Sequence, residues 1–288
     1  MDTSSVDVAV VGTLNMDVIV QVTRMPEVGE TVLGQSVSER PGGKGANQAL
    51  AAAGLASTML VGVVGRDDAG DRLLAVQDAG GVDTVYVSRV DEASGQAIIE
   101  VDDAGDNRIV VLVGANANLS TAHVEHALDA ALPRVVLTQL ESPSEVTAAV
   151  AAWCSRRSRR LLLNPSPVAE LPGAVLAAAD PLVVNEHEAR FYASDDTDDP
   201  VAVAHALLEV ATSAVITLGA DGVVVAADGA VARIDVARVR AVDTTGAGDV
   251  FAGVLAAHLA HDSGLVEAAE QAAAAATAHV ARRPPAVE

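Results

Sequence analysis

Lysine, cysteine and aromatic side chains are scarce in this 288-residue chain. Lys44 is the only lysine, and histidine aside, every other basic residue is an arginine. The single cysteine, Cys154, excludes an internal disulfide and a cysteine-ligated metal cluster, which favours a reducing, cytoplasmic location. Because Cys154 lies in an apolar, helix-like stretch, we predict that it is a buried structural thiol.

Long hydrophobic runs and excess positive charge are also absent. Although 50% of the residues are hydrophobic, no run of about 18 apolar residues lacks a polar break, so no membrane span is expected. The first five residues lack a basic start and an apolar middle, so no secretion signal is expected. A net charge of −21 makes nucleic acid an unfavourable partner. A small anionic substrate is still allowed, because a local site can override the global field.

Strand-like and helix-like segments alternate along most of the chain. Residues 6–12 and 57–64 are predicted strands, whereas residues 46–55 and 144–155 are predicted helices. This alternation is typical of βαβ units, in which helices cover both faces of a parallel sheet. With no long linker and no repeat, we predict one α/β domain over residues 1–288. Its expected architecture is a three-layer α/β/α sandwich with a mostly parallel central sheet.

Two regions interrupt this alternation. Residues 15–40 and 95–113 contain β-rich pieces such as DVIV and RIVVLV, with turns and no helix between them. Such a pattern predicts a small antiparallel sheet. We interpret it as a lid on the main domain, which would exclude water from a reacting group.

The stretch GGKGANQ at residues 42–48 places Lys44 among three glycines, just before a predicted helix. Glycines allow the backbone to approach a ligand closely, and a helix start offers free N–H groups. Asn47 adds a donor and an acceptor. A tight turn before a helix explains the glycines equally well, so this stretch alone leaves both interpretations open.

The stretch VDTTGAGDVFAG at residues 242–253 is more informative. Gly246, Ala247 and Gly248 precede a predicted helix, where backbone amides form an anion hole suited to a transferring phosphoryl group. Asp249 follows in the first turn. A lone Asp there is usually an N-terminal helix residue, but beside an anion hole its charge is costly unless it accepts a proton. We therefore favour a general base.

Two weaker signals lie between these stretches. NEHE at residues 185–188 ends a strand and begins a helix, and Asn185 and Glu188 are candidates to hold hydrated Mg²⁺ and phosphate oxygens. Helix capping explains this pair as well. TLGADG at residues 217–222 ends a strand with two glycines, which fits either a close nucleotide approach or a β-hairpin turn.

Together these stretches resemble the ribokinase-like carbohydrate kinases over almost the whole chain. The resemblance is carried, in chain order, by GTLNMD, PGGKGANQA, VGVVGRDDAGD, GANANLS, QLESP, NPSP, NEHE, TLGADG and DTTGAGDVFAG. The last motif is the most specific for the family. The family resemblance implies the fold predicted above, ATP and Mg²⁺ as cofactors, and a sugar as the acceptor of the phosphoryl group.

The resemblance also implies a role for each candidate residue. The sugar pocket would comprise Asn15, Asp17, Gly43, Lys44, Asn47, Glu141 and Asp249. Asp249 would take the proton of the attacking hydroxyl, beside the anion hole of Gly246, Ala247 and Gly248. The nucleotide would lie along Asn185, Thr217, Gly219, Gly222 and Gly248, with Glu188 holding Mg²⁺ through water. Asp243 and Thr245 would belong to a loop that binds a monovalent cation.

The C-terminal sequence departs from the family pattern. A glycine-containing turn, R-x-G-A, is expected beside the cation loop, but this chain has Arg282, Arg283, Pro284 and Pro285. Proline fixes φ and has no N–H, so the turn cannot take the same shape. We therefore expect weak or absent activation by K⁺.

The resemblance implies ATP-dependent phosphorylation of D-ribose at its 5-hydroxyl. Alternatives are a family kinase for another pentose, a deoxy sugar or a nucleoside, and a non-catalytic sugar sensor. A purine nucleoside needs an extra aromatic or apolar wall, and none of the five aromatic residues is near the lid motifs. The intact Asp249 and glycines disfavour the sensor. Unpaired lid edges predict a homodimer through the lid.

Overall fold

The computed structural model describes residues 6–193 and 197–282. Its larger sheet has the strand order β13-β12-β11-β10-β9-β8-β1-β4-β5. These strands are β1 (Val8–Val11), β4 (Thr58–Gly65), β5 (Val87–Val90), β8 (Val135–Thr138), β9 (Arg160–Leu163), β10 (Ala179–Asn185), β11 (Ser213–Thr217), β12 (Val223–Ala227) and β13 (Ala230–Ile234). The pairings from β5 to β11 are parallel, and β12 and β13 add an antiparallel edge.

Helices cover both faces of this sheet. They are α1 (Lys44–Ala53), α2 (Asp68–Ala79), α3 (Thr121–Ala131), α4 (Ser144–Arg157), α5 (Gly173–Ala177), α6 (Glu186–Ala193), α7 (Pro200–Leu207), α8 (Ala247–Ala260) and α9 (Leu265–Val280). Ala9 and Val11 of β1 point into one buried core, whereas Val8 and Val10 point into the other. Because successive residues of a strand face opposite sides, one strand contributes to two cores. The predicted three-layer α/β/α sandwich is confirmed.

A second sheet of four strands has the order β3-β2-β6-β7. Its strands are β2 (Asn15–Val22), β3 (Gly34–Gly42), β6 (Gly95–Val101) and β7 (Asn107–Leu112). The pairs β2–β3 and β6–β7 are antiparallel hairpins, as predicted, but β2 and β6 pair in parallel. The sheet is therefore two hairpins side by side, and the long connection between them through α1, β4, α2 and β5 allows the parallel pairing.

The remaining predictions on the fold concern Cys154 and membranes. Cys154 is buried on α4, and desolvation raises the pKa of its thiol to about 12. It is therefore a structural thiol, as predicted. No helix within the described residues combines the length and the apolar character that a membrane crossing requires.

Candidate active site

Asp249 lies in the first turn of α8, and only 8% of the residue is exposed. The helix follows Gly246, whose φ of 76° is in the left-handed region that glycine adopts without strain. Asn47 Nδ2 donates to Oδ2 of Asp249 at 3.1 Å, and Gln48 Nε2 donates to Oδ1 at 3.0 Å. Each oxygen of the carboxylate thus has an amide donor from α1, which fixes its plane beside the first amides of α8.

A cavity of about 150 Å³ opens beside Asp249. It brings together predicted residues that are far apart in the sequence, namely Lys44, Asn185, Glu188, Thr217, Gly246, Gly248 and Asp249. Backbone N–H groups at a helix start and a lysine ammonium both favour a negatively charged group. The cavity therefore combines a buried carboxylate with an anion-binding wall.

A larger cavity of about 520 Å³ adjoins the first and shares Thr217, Gly248 and Phe251 with it. Its lining includes the predicted residues Thr217, Gly219, Gly222, Ala247 and Gly248. Helix α9 supplies a mostly apolar wall of Ala273, Ala276 and Val280, with Thr277 beside them. The volume and the mostly apolar lining suit a small organic ligand such as a nucleotide base. Packing alone also requires a glycine at position 222, because a Cβ on Gly222 would lie 2.1 Å from the carbonyl oxygen of Ile234.

On the lid side of the site, Asn15 begins β2 and only 5% of the residue is exposed. Its Oδ1 accepts a hydrogen bond of 2.8 Å from Nδ2 of Asn116. Gly95 lies opposite Asn15 on β6, and a Cβ there would lie 2.2 Å from Oδ1 of Asn15 and 2.1 Å from Nδ2 of Asn116. The glycine therefore leaves room for this amide pair at the base of the lid.

Asp17 and Arg40 are cross-strand neighbours on β2 and β3. Burial is the main reason that the pKa of the Asp17 carboxyl is raised to about 6; Arg40 opposes the shift, and the negative charges of Glu141 and Asp249 contribute to it. The three carboxylates therefore face one region between the lid and the sheet. Such a cluster accepts hydrogen bonds from hydroxyl groups.

Glu141 contacts the loop before α1 and the helix start itself. Its carboxylate accepts the backbone N–H of Lys44 at 3.2 Å and the hydroxyl of Thr13. No side chain caps α1 at its N-cap Gly43, so Glu141 supplies the negative charge that a helix N-terminus favours. Gly43 has a φ of 91°, and a Cβ there would lie 2.8 Å from the backbone of Thr13 and Asn15. These residues form one connected loop beside the lid.

The pair Asn185 and Glu188 forms a reciprocal capping box at the start of α6. Asn185 Oδ1 accepts the backbone N–H of Glu188, and Glu188 Oε2 accepts the backbone N–H of Asn185, both at 2.9 Å. Capping therefore explains their spacing. Both residues also line the cavity beside Asp249, with Glu188 only 5% exposed, so their predicted role toward Mg-ATP stays a prediction.

The oxygens of the predicted cation loop already have partners within the chain. Asp243 Oδ1 accepts the N–H of Thr245 at 2.8 Å, and Oδ2 lies 3.9 Å from Nη1 of Arg40. The Thr245 carbonyl oxygen lies 2.9 Å from Nε2 of His279. The Thr245 amide and the nearby positive charges lower the pKa of Asp243. The roles of Asp243 and Thr245 in binding a monovalent cation therefore stay predictions, at oxygens that already contact protein donors. Pro284 and Pro285, on which the expectation of weak or absent K⁺ activation rests, lie outside the described residues.

Four site residues were not singled out by the sequence patterns, namely Gln48, Asn116, Gln139 and Asn164. Each lies within one of the motifs quoted above, in the same order: GGKGANQ, GANANLS, QLESP and NPSP. Gln48 and Gln139 are 0% and 1% exposed, and a buried glutamine needs hydrogen-bond partners. The sequence signal that could have identified these residues is a polar amide side chain in an otherwise apolar segment.

Comparison with known proteins is consistent with this geometry. The family model described as pfkB family carbohydrate kinase matches residues 6–286. Bacillus subtilis ribokinase is 39% identical over 258 residues, with 88% of this chain and 86% of that protein covered. A deoxyribokinase of Salmonella typhi is 34% identical over 271 residues, with 91% and 88% covered.

A solved structure of Arabidopsis thaliana ribokinase, complexed with ribose and ATP, superimposes with a TM-score of 0.86 at 28% identity. The alignment covers 96% of this chain and 93% of that one. Both the family model and the curated relatives extend over most of the chain. The chain therefore belongs to the pfkB family of carbohydrate kinases.

Proposed function

We propose that this kinase transfers the γ-phosphoryl group of ATP to the 5-hydroxyl of D-ribose. The observation that carries the proposal is the buried carboxylate of Asp249, held by two amides beside the first turn of α8. A base there is next to the place where charge develops on a phosphoryl group. The relatives named ribokinase, and the structural neighbour with ribose and ATP, support ribose as the acceptor.

In the proposed reaction the ribose 5-hydroxyl points at Asp249. Asp249 takes the hydroxyl proton while the oxygen attacks the γ-phosphorus, the bond to the β–γ bridging oxygen breaks, and ADP leaves. The backbone amides of Gly246, Ala247 and Gly248 stabilise the negative charge on the transferring group. Lys44 shares the cavity with Asp249, so its ammonium is available to a phosphoryl oxygen, which adds a second role to the predicted hydrogen bond with a sugar hydroxyl.

The sugar hydroxyls would be recognised by the polar groups under the lid. Asn15, Asn47 and Glu141 each already have a fixed partner, namely Asn116, Asp249 and the start of α1. Side chains held in this way keep their orientation before the ligand arrives, which lowers the entropic cost of binding. Residues 15–40 and 95–113 would form the lid that excludes water from the acceptor's place.

ATP would occupy the 520 Å³ cavity, with its base against α9 and its phosphates toward Gly248. No group of three acidic, histidine or cysteine residues that could hold a metal exists among the described residues. Mg²⁺ would arrive with the nucleotide, since Mg²⁺ keeps waters and binds through phosphates and one or two carboxylates. Glu188 is the carboxylate that would hold it through water, and the ion would neutralise phosphate charge.

A deoxy sugar is the alternative acceptor that a specific observation supports, because a deoxyribokinase is also 34% identical. The two sugars differ by one hydroxyl. A site that hydrogen-bonds this hydroxyl rejects the analogue that lacks it by up to about 10⁴- to 10⁵-fold. Comparing kcat/KM for ribose and 2-deoxyribose decides between them.

We also propose a homodimer through the lid and a cytoplasmic location. Strand β7 is exposed along its whole length, including Ile109, Val110, Val111 and Leu112. Exposed apolar edge strands are normally covered or blocked, and a second copy of the lid would cover this edge. The buried single thiol of Cys154 agrees with a reducing compartment.

The direct test is turnover of ribose by wild type and by Asp249→Asn. The asparagine keeps the size of the side chain but cannot take the proton, so kcat should fall by at least about 100-fold. ADP binding and the melting temperature should persist. Asp262→Asn is the matched control, since this residue lies near the far end of α8 in a surface ion pair with Arg134. Near wild-type kcat in Asp249→Asn would refute the proposed base.

The position of the product phosphate completes this test. Phosphorus–proton correlation in the NMR spectrum of the product distinguishes a phosphate at C5 from one at C1. Fructose and adenosine serve as competing acceptors in the same assay. A clear preference for adenosine, or a phosphate at C1, would contradict the proposed function.

A further inference from the structure

The carboxylate of Asp249 is connected to a chain of buried amides. Gln48 Nε2 donates both to Oδ1 of Asp249 at 3.0 Å and to Oδ1 of Asn164 at 3.1 Å. Gln139 Nε2 donates to Oε1 of Gln48 at 2.6 Å. Asn164 Nδ2 donates to the carbonyl oxygen of Val183 at 3.0 Å. Because Gln139 follows β8 and Asn164 follows β9, the chain joins α1, α8 and the ends of two central strands.

The direction of every amide in this chain is determined. The Val183 carbonyl can only accept, so Asn164 must present its Nδ2 there and its Oδ1 toward Gln48. The ionised carboxylate of Asp249 also only accepts. Gln48 is therefore obliged to point Nε2 at both oxygens, which leaves its Oε1 for Nε2 of Gln139. An inverted Gln48 amide would place oxygen against oxygen at two contacts.

The packing around these amides leaves little freedom to move. Gly12 lies against Gln139, and a Cβ there would be 2.2 Å from Oε1 of Gln139. Gly253 of α8 lies against α1, and a Cβ there would be 2.4 Å from the carbonyl oxygen of Gln48. Helices α1 and α8 are therefore in close contact where Gln48 meets Asp249, and neither helix can shift without breaking the amide chain.

We infer that Gln48 is a positioning residue for phosphoryl transfer and that Gln139 locks the direction of its amide. This inference rests on the proposed role of Asp249 as the base. Gln48 is 0% exposed, so it would act through Asp249 and not by touching the substrates. It holds Oδ1 of Asp249 while Asn47 holds Oδ2, and so it sets the direction in which the carboxylate meets the attacking hydroxyl. Misplacing a catalytic group by about 1 Å can cost about 100-fold in rate.

The experiment compares Gln48→Met, Gln139→Met and the double variant. Methionine keeps the length of the side chain and removes the amide. Gln77→Met is the matched control, because Gln77 is a buried glutamine of α2, 1% exposed, whose Oε1 has no hydrogen-bond partner within the described residues. For each protein we would measure the melting temperature, ADP affinity, the KM for ribose and kcat.

For Gln48→Met we expect kcat to fall by about 10- to 100-fold, with ADP affinity and ribose KM changed by less than about threefold, under 1 kcal/mol. The fall in kcat should be smaller for Gln139→Met, because in this variant the Gln48 amide still has the correct direction part of the time. The double variant should be no slower than Gln48→Met, since the two residues act through one contact. Gln77→Met should keep wild-type kcat.

Two results would overturn the inference. The first is an active wild type with kcat unchanged in Gln48→Met, and the second is losses that add up in the double variant. Should Gln48→Met fail to fold, Gln139→Met decides alone, and unchanged kcat in it then counts against the inference. A wild type without pentose kinase activity overturns the proposed function, and this inference falls with it.

Discussion

The Nε2 atom of His279 lies 2.9 Å from the carbonyl oxygen of Thr245, one residue before the glycine that starts the anion hole. Since a carbonyl oxygen only accepts, Nε2–H is the donor. His279 belongs to the last turn of α9, so this hydrogen bond joins the wall of the nucleotide cavity to the loop beside the base. Arg40 brings a permanent positive charge to the neighbouring Asp243.

We predict from this contact that turnover does not require K⁺. Replacing K⁺ by a bulky organic cation should change kcat and ADP affinity by less than about twofold, because the loop oxygens are held by protein donors. His279→Ala frees the Thr245 carbonyl and should weaken ADP binding by about 2- to 10-fold, the net worth of one hydrogen bond. In this variant K⁺ should restore part of the loss. Titration calorimetry in both salts measures each effect.

The control for this prediction is His261→Ala. Nε2 of His261 makes the same kind of contact, 3.2 Å from the carbonyl oxygen of Leu55, but after the far end of α8. Its removal should affect stability without altering ADP affinity. A saturable K⁺ requirement in the wild type would show that the cation displaces these partners and that the prediction is wrong.

Local signals in the sequence were enough to predict the layers of the fold and the helix starts that form the site. Short β-rich apolar runs at residues 6–12 and 57–64 predicted β1 and β4, and glycines before a helix-like stretch predicted the beginnings of α1 and α8. The parallel pairing of β2 with β6 was missed, because hairpin patterns are local whereas this pairing joins residues about 80 positions apart.

The partners of the site residues were missed for the same physical reason. Gln48 meets Asp249 across 201 positions, and Asn15 meets Asn116 across 101. A side chain's type indicates that it needs a partner, but the fold chooses which one. The sequence also left two roles open for Asn185 and Glu188, helix capping and binding of Mg-ATP. A capping box and a cavity lining require the same two residue types.

The exposed lid edge predicts a dimer that one charge should disrupt. Val111 of β7 is 54% exposed and lies on the same face as Asp17, because both pair with Ala97 of β6. Val111→Lys places a charge in the proposed interface, so light scattering should shift from dimer to monomer mass. Ribose KM should rise, since the lid loses its cover next to the sugar pocket.

A matched control for the lid is Val85→Lys, which changes another exposed valine, 71% exposed and outside the lid strands. It should keep the wild-type mass and KM. A wild type that is monomeric at concentrations of about 10 μM, near the affinity expected of weak interfaces, would contradict the proposed dimer. Dimers unaffected by Val111→Lys would place the interface elsewhere.

Asp17 predicts opposite effects of pH on stability and on sugar binding. Its pKa in the folded protein, about 6, exceeds the ordinary value of 3.8, chiefly because burial disfavours the charge. Its contribution to stability is therefore present below pH 3.8 and is lost as the pH rises through about 6. Asp17→Asn should melt above wild type at about pH 8, with the difference vanishing toward about pH 4. Asp91→Asn, at a side chain 97% exposed, should show neither effect.

Since the ionised carboxylate of Asp17 accepts hydroxyl protons, wild-type KM for ribose should rise below pH 6, whereas Asp17→Asn should have a high KM at every pH. Equal melting temperatures of Asp17→Asn and wild type at about pH 8, or a KM that is flat through about pH 6, would contradict a strained, functional carboxylate at this position.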